Sequence, residues 1–242
     1  MDSHSSHSAD NGSGPGTIPD DPFALLAATR REYGQDRLRE VPATPYELFV
    51  RWYREAGADP GIVEPNAMVV ATADADGPDA RIVLLKGFAP DGFVFYTNYL
   101  SAKGRQLTAD PRAALTFPWH PVQRQVRVRG VVEQVTAAES DTYFLSRDEG
   151  ARLGAWASKQ SEPIADRATL EARLEALAAE PRFREGVGER PPHWGGYRVR
   201  PTTIEFWQGG AHRLHDRFVF RAGVDEASLA EAADWSATRL QP

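Results

Sequence analysis

Residues 81–103 have the sequence RIVLLKGFAPDGFVFYTNYLSAK, and they decide what fold the chain can adopt. The apolar, β-branched run 81–86 predicts a buried strand, and residues 93–97 predict its antiparallel partner. Asp91 and Gly92 lie between them as a turn signal, because glycine tolerates positive φ and aspartate can bond its own backbone. We therefore expect a β-hairpin in this stretch, and residues 67–73, joined to it through the turn signal Asp76-Gly77, should extend it into a meander.

Polar side chains stand at the ends of these two predicted strands. The first strand is flanked by two cations, and the second leads into hydroxyls, an amide and a third cation: Arg81, Lys86, Tyr96, Thr97, Asn98, Ser101 and Lys103. Such a rim can bind a phosphate and a planar ring. The alternative is an amphipathic hairpin with solvated charges, the usual state of Lys and Arg.

The composition is that of a globular protein, with 242 residues of which 41% are hydrophobic. No apolar run approaches the roughly 18 residues of a membrane span, and the first residues lack a signal-peptide pattern. The absence of cysteine excludes a disulfide scaffold and a thiol nucleophile. A net charge of −6 argues against nonspecific binding of nucleic acid. We expect a cytoplasmic protein with neither a membrane nor a nucleic-acid partner.

The order of elements predicts an antiparallel β-barrel with helical additions, because the strands are short and joined by tight turns. Residues 1–20 are predicted to be a disordered tail, and residues 21–242 a single domain. Predicted helices span residues 22–33, 44–56, 101–109, 137–146 and 166–180, the last with an apolar stripe of Leu170, Leu174 and Leu177. Predicted strands span residues 67–73, 81–86, 93–97, 113–117, 124–132, 197–199, 203–207 and 217–221.

A second basic cluster lies in residues 205–217, EFWQGGAHRLHDR. Its Gly-Gly pair predicts a turn that lets Trp207 approach the basic residues. Zinc would need a third ligand beside the two histidines, and the arginines would repel it, so we expect no metal. Arginine forks fit phosphate or carboxylate, whereas an edge strand with solvated charges is the alternative. In an extended segment Arg213 and His215 would share one face.

Residues 154–161, GAWASKQS, add an amide and a hydroxyl that could bond a heterocycle or a phosphate. The sequence contains no Walker loop, no Gly-rich dinucleotide fingerprint and no Gly-x-Ser-x-Gly motif. It also offers no candidate covalent nucleophile, which assigns the chemistry to a bound cofactor.

Seven motifs occur in order along the chain: RIVLLK, FYTN, FPWH, RQV, GAWASKQS, WGGYRV and EFWQGGAHRLHDR. Together they resemble the pyridoxamine/pyridoxine 5′-phosphate oxidase family. The resemblance implies a homodimer of split β-barrels with FMN bound between the subunits. It implies oxidation of pyridoxamine 5′-phosphate or pyridoxine 5′-phosphate by O₂ to pyridoxal 5′-phosphate, with hydride passing to the flavin and H₂O₂ released.

The resemblance also implies the residues of the site. FMN contacts fall on Arg81, Ile82, Leu85, Lys86, Tyr96, Thr97, Lys103, Gln125, Gln160, Ser161, Trp207 and Arg217. Substrate contacts fall on Arg30, Arg31, Glu32, Tyr33, Lys86, Tyr143, Arg147, Arg213, Leu214 and His215. Residues 30–33 are implied to be a lid, and Lys86, Tyr143 and Arg147 to hold the substrate phosphate. The implied catalytic residues are Arg213 and His215, over the substrate ring.

The chain departs from the family pattern where Ala102 replaces a usual arginine and Ala151 a usual serine. The segment after Arg221 is also atypical, being rich in alanine and acidic residues. Two other functions stay open. One is a related split-barrel oxidoreductase that uses a flavin or deazaflavin on another substrate. The other is a non-catalytic protein that binds flavin or pyridoxal phosphate.

Overall fold

The computed structural model describes residues 32–34, 36–183 and 185–242. Its strands are β1 (Ala67–Asp74), β2 (Gly77–Leu84), β3 (Gly87–Ala89), β4 (Gly92–Asn98), β5 (Arg112–Trp119), β6 (Arg124–Gln134), β7 (Trp194–Gln208), β8 (Asp216–Ala222) and β9 (Trp235–Leu240). The α-helices of this described part are α1 (Pro45–Ala58), α2 (Ala102–Ala109), α3 (Ala137–Leu145), α4 (Glu149–Ala157) and α5 (Arg167–Ala178). None of these helices is long and apolar enough to cross a membrane.

All strand pairs are antiparallel, in the order β2-β1-β5-β6-β7-β4-β3, with β8 and β9 attached beside β7. The 15-residue strand β7 changes partners along its length. Its first part, residues 194–199, pairs with β4, and its last part, residues 203–208, pairs with β8. The expectation of a mainly antiparallel β fold with helical additions is confirmed.

Helix α1 packs its inner face against the hydrophobic core of this sheet. Thr44 caps it by accepting a hydrogen bond from the backbone of Glu47 at 3.3 Å, and a proline opens its first turn. Phe49 and Trp52 on its inner face are almost fully buried against aromatic side chains of β4, β5 and β7. The helix predicted at residues 44–56 is therefore confirmed.

Of the two strand partners expected for residues 81–86, the pairing with residues 67–73 is confirmed and the pairing with residues 93–97 is wrong. Residues 81–84 belong to β2, which pairs with β1 over the whole length of both strands. The turn at Asp91 and Gly92 instead joins the short strand β3 to β4. Because Lys86 donates its backbone N–H to Val94 at 2.8 Å, the chain crosses from one pairing to the other just after Leu85. Alternation alone could not distinguish the two partners.

Buried and exposed residues alternate along β6, which leaves Val131 exposed on the same face as Arg127 and Arg129. The register between β6 and β7 shifts between Arg129 and Gly130, and the residue without a partner at this bulge is Thr202 on β7. Pro201 sits opposite Gly130 at this bulge, where a missing N–H is tolerated. Residues 197–199 and 203–207 are consequently one strand instead of two.

Three elements were not expected from the sequence: the short strand β3, helix α4 and strand β9. Helix α4 follows α3 almost immediately, and β9 is formed by the atypical C-terminal segment. Leu229 in that segment is fully buried. Its backbone donates to Pro90 at 2.7 Å and accepts from Tyr46 at 3.2 Å, which joins the start of α1 to the β3–β4 turn.

The leucine stripe predicted for residues 166–180 forms on a helix, α5, but has no fully buried member. Its N-cap is Asp166, which accepts from Thr169 at 2.7 Å. The predicted tail at residues 1–20 lies outside the described residues. The helix predicted at residues 22–33 also lies outside them, except for Glu32 and Tyr33, which are not helical.

Replacing Leu229 with alanine should leave a cavity where the C-terminal segment meets the core. We expect Leu229→Ala to lower the free energy of unfolding by about 2–5 kcal/mol, measured by urea denaturation. The exposed Val224 in the same segment provides the control, and Val224→Ala should change stability by less than about 0.5 kcal/mol. Equal effects of the two variants would show that this segment does not belong to the core.

Candidate functional site

A cavity of about 470 Å³ lies between β2, the end of β4, the start of β7 and the helices α3 and α4. Eight residues of the predicted site line it: Ile82, Lys86, Tyr96, Thr97, Lys103, Tyr143, Arg147 and Gln160. We call these eight residues the cavity cluster. They come from three separate parts of the sequence, and the fold brings them together around one space.

Lys103 is the most buried cation of the cavity cluster, with 8% of its surface exposed. Ser101 caps α2 and so fixes where the lysine enters the cavity. The Nζ of Lys103 donates to Gln160 at 3.0 Å and to Thr97 at 3.3 Å, and both acceptors are neutral. Among the described residues, no carboxylate lies within salt-bridge distance of this ammonium group. Burial, together with the charge of Arg81, lowers the pKa of Lys103.

Arg147 presents a second cation without a counterion. Its Nη1 is buried and has no hydrogen-bond partner in the described part of the chain. Burial lowers the pKa of this guanidinium, and its carbon atom lies 4.8 Å from the ring centre of Trp194. A buried polar group without a partner is costly unless a ligand satisfies it. Lys103 and Arg147 together indicate that the cavity binds anionic groups.

Aromatic rings form one wall of the cavity. Tyr96 and Tyr143 stack with their centroids 3.9 Å apart and their planes at 18°. Trp194 lies nearly parallel to both, 5.5 Å from Tyr96 and 6.2 Å from Tyr143. Burial, followed by the charges of Glu139 and Tyr143, raises the pKa of Tyr96, so its hydroxyl stays protonated. This wall suits a planar, uncharged surface beside the cations.

Six predicted cofactor contacts do not line this cavity, and three of the six are next in sequence to residues that do. Arg81 is partly buried beside it, but its guanidinium bonds Asp79 and Gln106, the latter at 3.0 Å. Leu85 belongs to the core. The hydroxyl of Ser161 accepts from the backbone N–H of Ala102 at 3.1 Å. These residues therefore shape the surroundings of the cavity in a single protomer.

The remaining predicted residues gather at a second place, around the turn between β7 and β8. Trp207 and His215 have ring centroids 4.6 Å apart, and Tyr33 packs edge-on against both, at 5.8 and 5.6 Å. Gln125 is the cross-strand partner of Trp207. We call this set, with Arg213, the Trp207–His215 cluster. Arg30 and Arg31 lie outside the described residues, and Glu32 is exposed.

His215 is held in one tautomer. The backbone N–H of Gly210 donates to its Nδ1 at 3.1 Å, so the neutral ring carries its proton on Nε2. Burial, together with the charge of Arg213, lowers the pKa of His215. The ring is therefore a neutral donor at neutral pH. A Cβ at Gly210 would lie 2.3 Å from the carbonyl oxygen of Leu214, so glycine is needed there.

The expectation of an extended segment from Arg213 to His215 is wrong. Residues 211–213 form a 3-10 turn, in which His212 and Arg213 have φ angles of 56° and 65°. Arg213 and Leu214 are exposed. The alternation argument could not foresee a left-handed turn at non-glycine residues.

Arg217, another predicted cofactor contact, already has protein partners. Its guanidinium pairs with Glu205 at 3.0 Å and donates to the backbone carbonyl of Gln241 at 3.0 Å. The register places it directly opposite Trp207. Arg217 thus stabilises the joint of β7, β8 and the C-terminus in this protomer.

The cavity cluster and the Trp207–His215 cluster lie at opposite ends of β7. Thr97 of the first pairs with Gly195, whereas Gln125 of the second pairs with Trp207, twelve positions further along β7. An extended strand rises about 3.3 Å per residue, so the two ends are roughly 40 Å apart along the strand. One small ligand cannot contact both clusters of the same protomer.

Eight residues that line the cavity were not among the contacts implied by the resemblance, and Asn98 and Trp194 are two of them. Asn98 is buried and donates from its side chain to Ser158 at 3.2 Å, which ties α4 to β4. Both lie in motifs that the sequence had singled out, FYTN and WGGYRV, but no charge marked them. Ala151 lines the cavity, and Arg105, near Ala102, donates to a backbone carbonyl. The described residues contain no group of His, Cys, Asp and Glu side chains suited to a metal ion.

Two family models match this chain. One, described as pyridoxamine 5′-phosphate oxidase, covers residues 58–179. The other, described as the pyridoxine 5′-phosphate oxidase C-terminal dimerisation region, covers residues 194–242.

Curated relatives match over most of their length. The pyridoxine/pyridoxamine 5′-phosphate oxidase of Pseudomonas paraeruginosa is 52% identical over 221 residues, which cover 90% of this chain and 98% of that protein. The protein of the same name from Thermosynechococcus vestitus is 52% identical over 220 residues, which cover 90% of this chain and 99% of that protein.

Solved structures share the fold. PhzG from Burkholderia lata, crystallised with tetrahydrophenazine-1-carboxylic acid, is 30% identical with a TM-score of 0.76, covering 86% of this chain and 99% of PhzG. A pyridoxamine 5′-phosphate oxidase-related, FMN binding protein from Nostoc punctiforme is 17% identical with a TM-score of 0.63, covering 84% of this chain and 100% of that one.

Replacing Lys103 with methionine removes a buried cation that no carboxylate of the described residues neutralises. In phosphate-free buffer we expect Lys103→Met to raise the free energy of unfolding by about 1 kcal/mol at pH 7. Because the folded pKa of Lys103 is lowered, the protonated form destabilises the fold. The difference between variant and wild type should therefore shrink as the pH rises through that pKa.

Inorganic phosphate should stabilise the wild type more than Lys103→Met, because it supplies the missing counterion. The exposed Lys159 is the matched control, and Lys159→Met should respond to phosphate as the wild type does. A loss of more than about 1 kcal/mol in Lys103→Met would mean that the lysine is a structural residue.

Proposed function

Because the chain belongs to the pyridoxamine 5′-phosphate oxidase family, we propose that it oxidises pyridoxamine 5′-phosphate and pyridoxine 5′-phosphate to pyridoxal 5′-phosphate. The proposal includes FMN as the cofactor and O₂ as the electron acceptor, with H₂O₂ as the second product. The observation that carries it is the pair of cations, Lys103 and Arg147, that face one cavity without a carboxylate partner among the described residues. Two anionic ligands, a cofactor phosphate and a substrate phosphate, would satisfy them.

The residues present fit FMN. Lys103, Thr97 and Gln160 form a bonded group of one cation and two polar side chains that would hold the anionic end of the cofactor. Bound FMN would supply the redox chemistry, by accepting a hydride equivalent from the substrate and returning the electrons to O₂. Arg81, fixed by Asp79 and Gln106, would add positive potential near the phosphate without moving.

Arg147, Tyr143 and Lys86, which line the same cavity, would hold the substrate phosphate. Arg147 offers an unpaired Nη1, and the flat side of its guanidinium is supported by Trp194. The stacked rings of Tyr96 and Tyr143 would exclude water from that side. A phosphate bound here would orient the rest of the substrate, so that part of the binding energy is used to align the reacting carbon.

We propose that the site is completed by a second copy of the chain. The match of residues 194–242 to a dimerisation region supports a homodimer. Within one protomer, the Trp207–His215 cluster is too far along β7 to meet the cavity. A two-fold axis brings one end of β7 near the opposite end in the partner, as an isologous interface permits. Ile82, at the cavity edge, is 71% exposed and suits such an interface.

In this arrangement Arg213 and His215 are proposed as the catalytic residues that cover the substrate ring. The neutral His215 ring would donate from Nε2 to a polar group of the substrate, since its Nδ1 is occupied by Gly210. Arg213 is exposed in one protomer, so its guanidinium is available for a ligand held by the partner. Their role is to orient the substrate carbon, with no proton transfer required of Arg213.

Adding pyridoxamine 5′-phosphate without oxygen should bleach the FMN absorbance of the loaded protein within one turnover. The control ligand is pyridoxamine, which lacks the phosphate and should reduce the flavin far more slowly because Arg147 cannot hold it. Admitting air should restore the colour and release H₂O₂. A protein that does not bind FMN, or whose flavin stays oxidised with the phosphorylated substrate, would refute the proposed function and favour a non-catalytic role.

A further inference from the structure

Arg198 is the centre of the densest ion-pair network in the described part of the chain, and its side chain is 16% exposed. Arg198 lies on β7, two residues after Gly196, which pairs with Tyr96 on β4. Its guanidinium faces three carboxylates: Asp91 at 3.2 Å, Glu133 at 3.7 Å and Glu139 at 2.6 Å. Asp91 and Glu133 belong to the sheet and its turns, whereas Glu139 belongs to α3.

Glu139 uses its two oxygens for different tasks. Oε2 accepts from the backbone and the hydroxyl of Thr136, at 3.0 and 2.8 Å, and so completes the capping box that begins α3. Oε1 accepts from Arg198. These hydrogen bonds, first those from Thr136 and then that from Arg198, lower the pKa of Glu139, which keeps it ionised. The first turn of α3 is therefore tied directly to β7.

Tyr143 stands four residues after Glu139, on the same face of α3, and Arg147 follows just past the helix. A second, uncharged tie lies between them: Ser140 accepts from the backbone N–H of Gly196 at 3.2 Å. Further along the helix, Asp141 pairs with Arg190 at 2.6 Å and Phe144 is buried against Trp194. Glu139 is the residue whose ion pair with β7 holds the first turn. We call α3 with Tyr143 and Arg147 the phosphate arm.

We propose that Arg198 is a positioning residue, which fixes the phosphate arm through Glu139. Arg198 does not line the cavity, so it acts on the substrate phosphate only through Tyr143 and Arg147. Without this tie, α3 would shift relative to β4 and loosen the stack of Tyr143 on Tyr96. The inference rests on the proposed function for the identity of the ligand, but the placement of the arm can be measured without it.

The chain offers a matched control in Arg200. It lies two residues further along β7, on the same side of the sheet, and pairs with Glu133 at 2.9 Å. Among the described residues it makes no ion pair with α3. Arg200→Met thus removes a charge from the same strand and network without touching the phosphate arm.

Steady-state kinetics of the FMN-loaded enzyme test the inference. Arg198→Met should raise KM for pyridoxamine 5′-phosphate about tenfold, with kcat within about threefold of the wild type and FMN affinity unchanged. Arg200→Met should leave KM unchanged. Glu139→Gln keeps the capping box but weakens the bond to Arg198, so its KM should rise less. The KM of the double variant Arg198→Met/Glu139→Gln should be no higher than that of Arg198→Met, because both substitutions break the same ion pair.

A readout without turnover separates this inference from the proposed function. Amide hydrogen exchange should become faster in α3 of Arg198→Met, but not in α2, and not in Arg200→Met. The near-ultraviolet circular dichroism of the stacked tyrosines should weaken in parallel. If Arg198→Met does not fold, Arg198→Lys, which keeps one charge, should give a smaller rise in KM and a smaller change in exchange.

Equal KM values and equal α3 exchange in Arg198→Met and the wild type would overturn the positioning role. If the wild-type protein oxidised neither pyridoxamine 5′-phosphate nor pyridoxine 5′-phosphate, the proposed function would instead be refuted. In that case α3 exchange alone decides the inference, supporting it if faster in Arg198→Met and refuting it if unchanged.

Discussion

An extended strand holds its two ends apart, and this constraint on β7 determines how the site can be built. The strand is 15 residues long and pairs with β4 at one end and β8 at the other. The cavity cluster therefore gathers where β7 begins, and the Trp207–His215 cluster gathers where it ends. Because neither cluster alone has all the groups that we propose for a phosphorylated ring substrate, we propose that a second copy of the chain completes each site. Two-fold symmetry would then give two equal sites from two equal chains.

The second constraint is electrostatic. Lys103 and Arg147 are cations that the described part of the chain leaves without carboxylates, although Arg198 nearby has three. The contrast separates Arg198, whose charge is paired with carboxylates of the fold, from Lys103 and Arg147, whose charges we propose are kept for ligands. An unpaired buried charge lowers the stability of the free protein, and the binding of an anion restores that stability. This is the usual relation between stability and function at a binding site.

Local signals predicted much of the fold. The helices begun by Thr44 and Ser101 were foreseen because their caps lie beside apolar periodicity, and the β1–β2 pairing followed from a clear turn. The sequence could not show that residues 81–84 pair with β1 only, since the hairpin partner is set by the whole sheet. The bulge beside Gly130 and the left-handed turn at Arg213 depend on contacts between distant residues. Of the site, the motif residues were recognised, but the network of Arg198 was not, because its partners are spread from Asp91 to Glu139.

The claim that most needs testing is that one site takes its residues from two chains. The direct measurement is the activity of a purified heterodimer with Arg147→Met in one copy and Arg213→Ala in the other. Each variant alone should be nearly inactive as a homodimer. If the sites are shared, one of the two sites in the heterodimer joins an intact cavity to an intact Trp207–His215 cluster, and about half of the wild-type activity should return. If each site were built within one chain, every site in the heterodimer would carry a defect, and an activity no higher than that of the two parents would contradict the account.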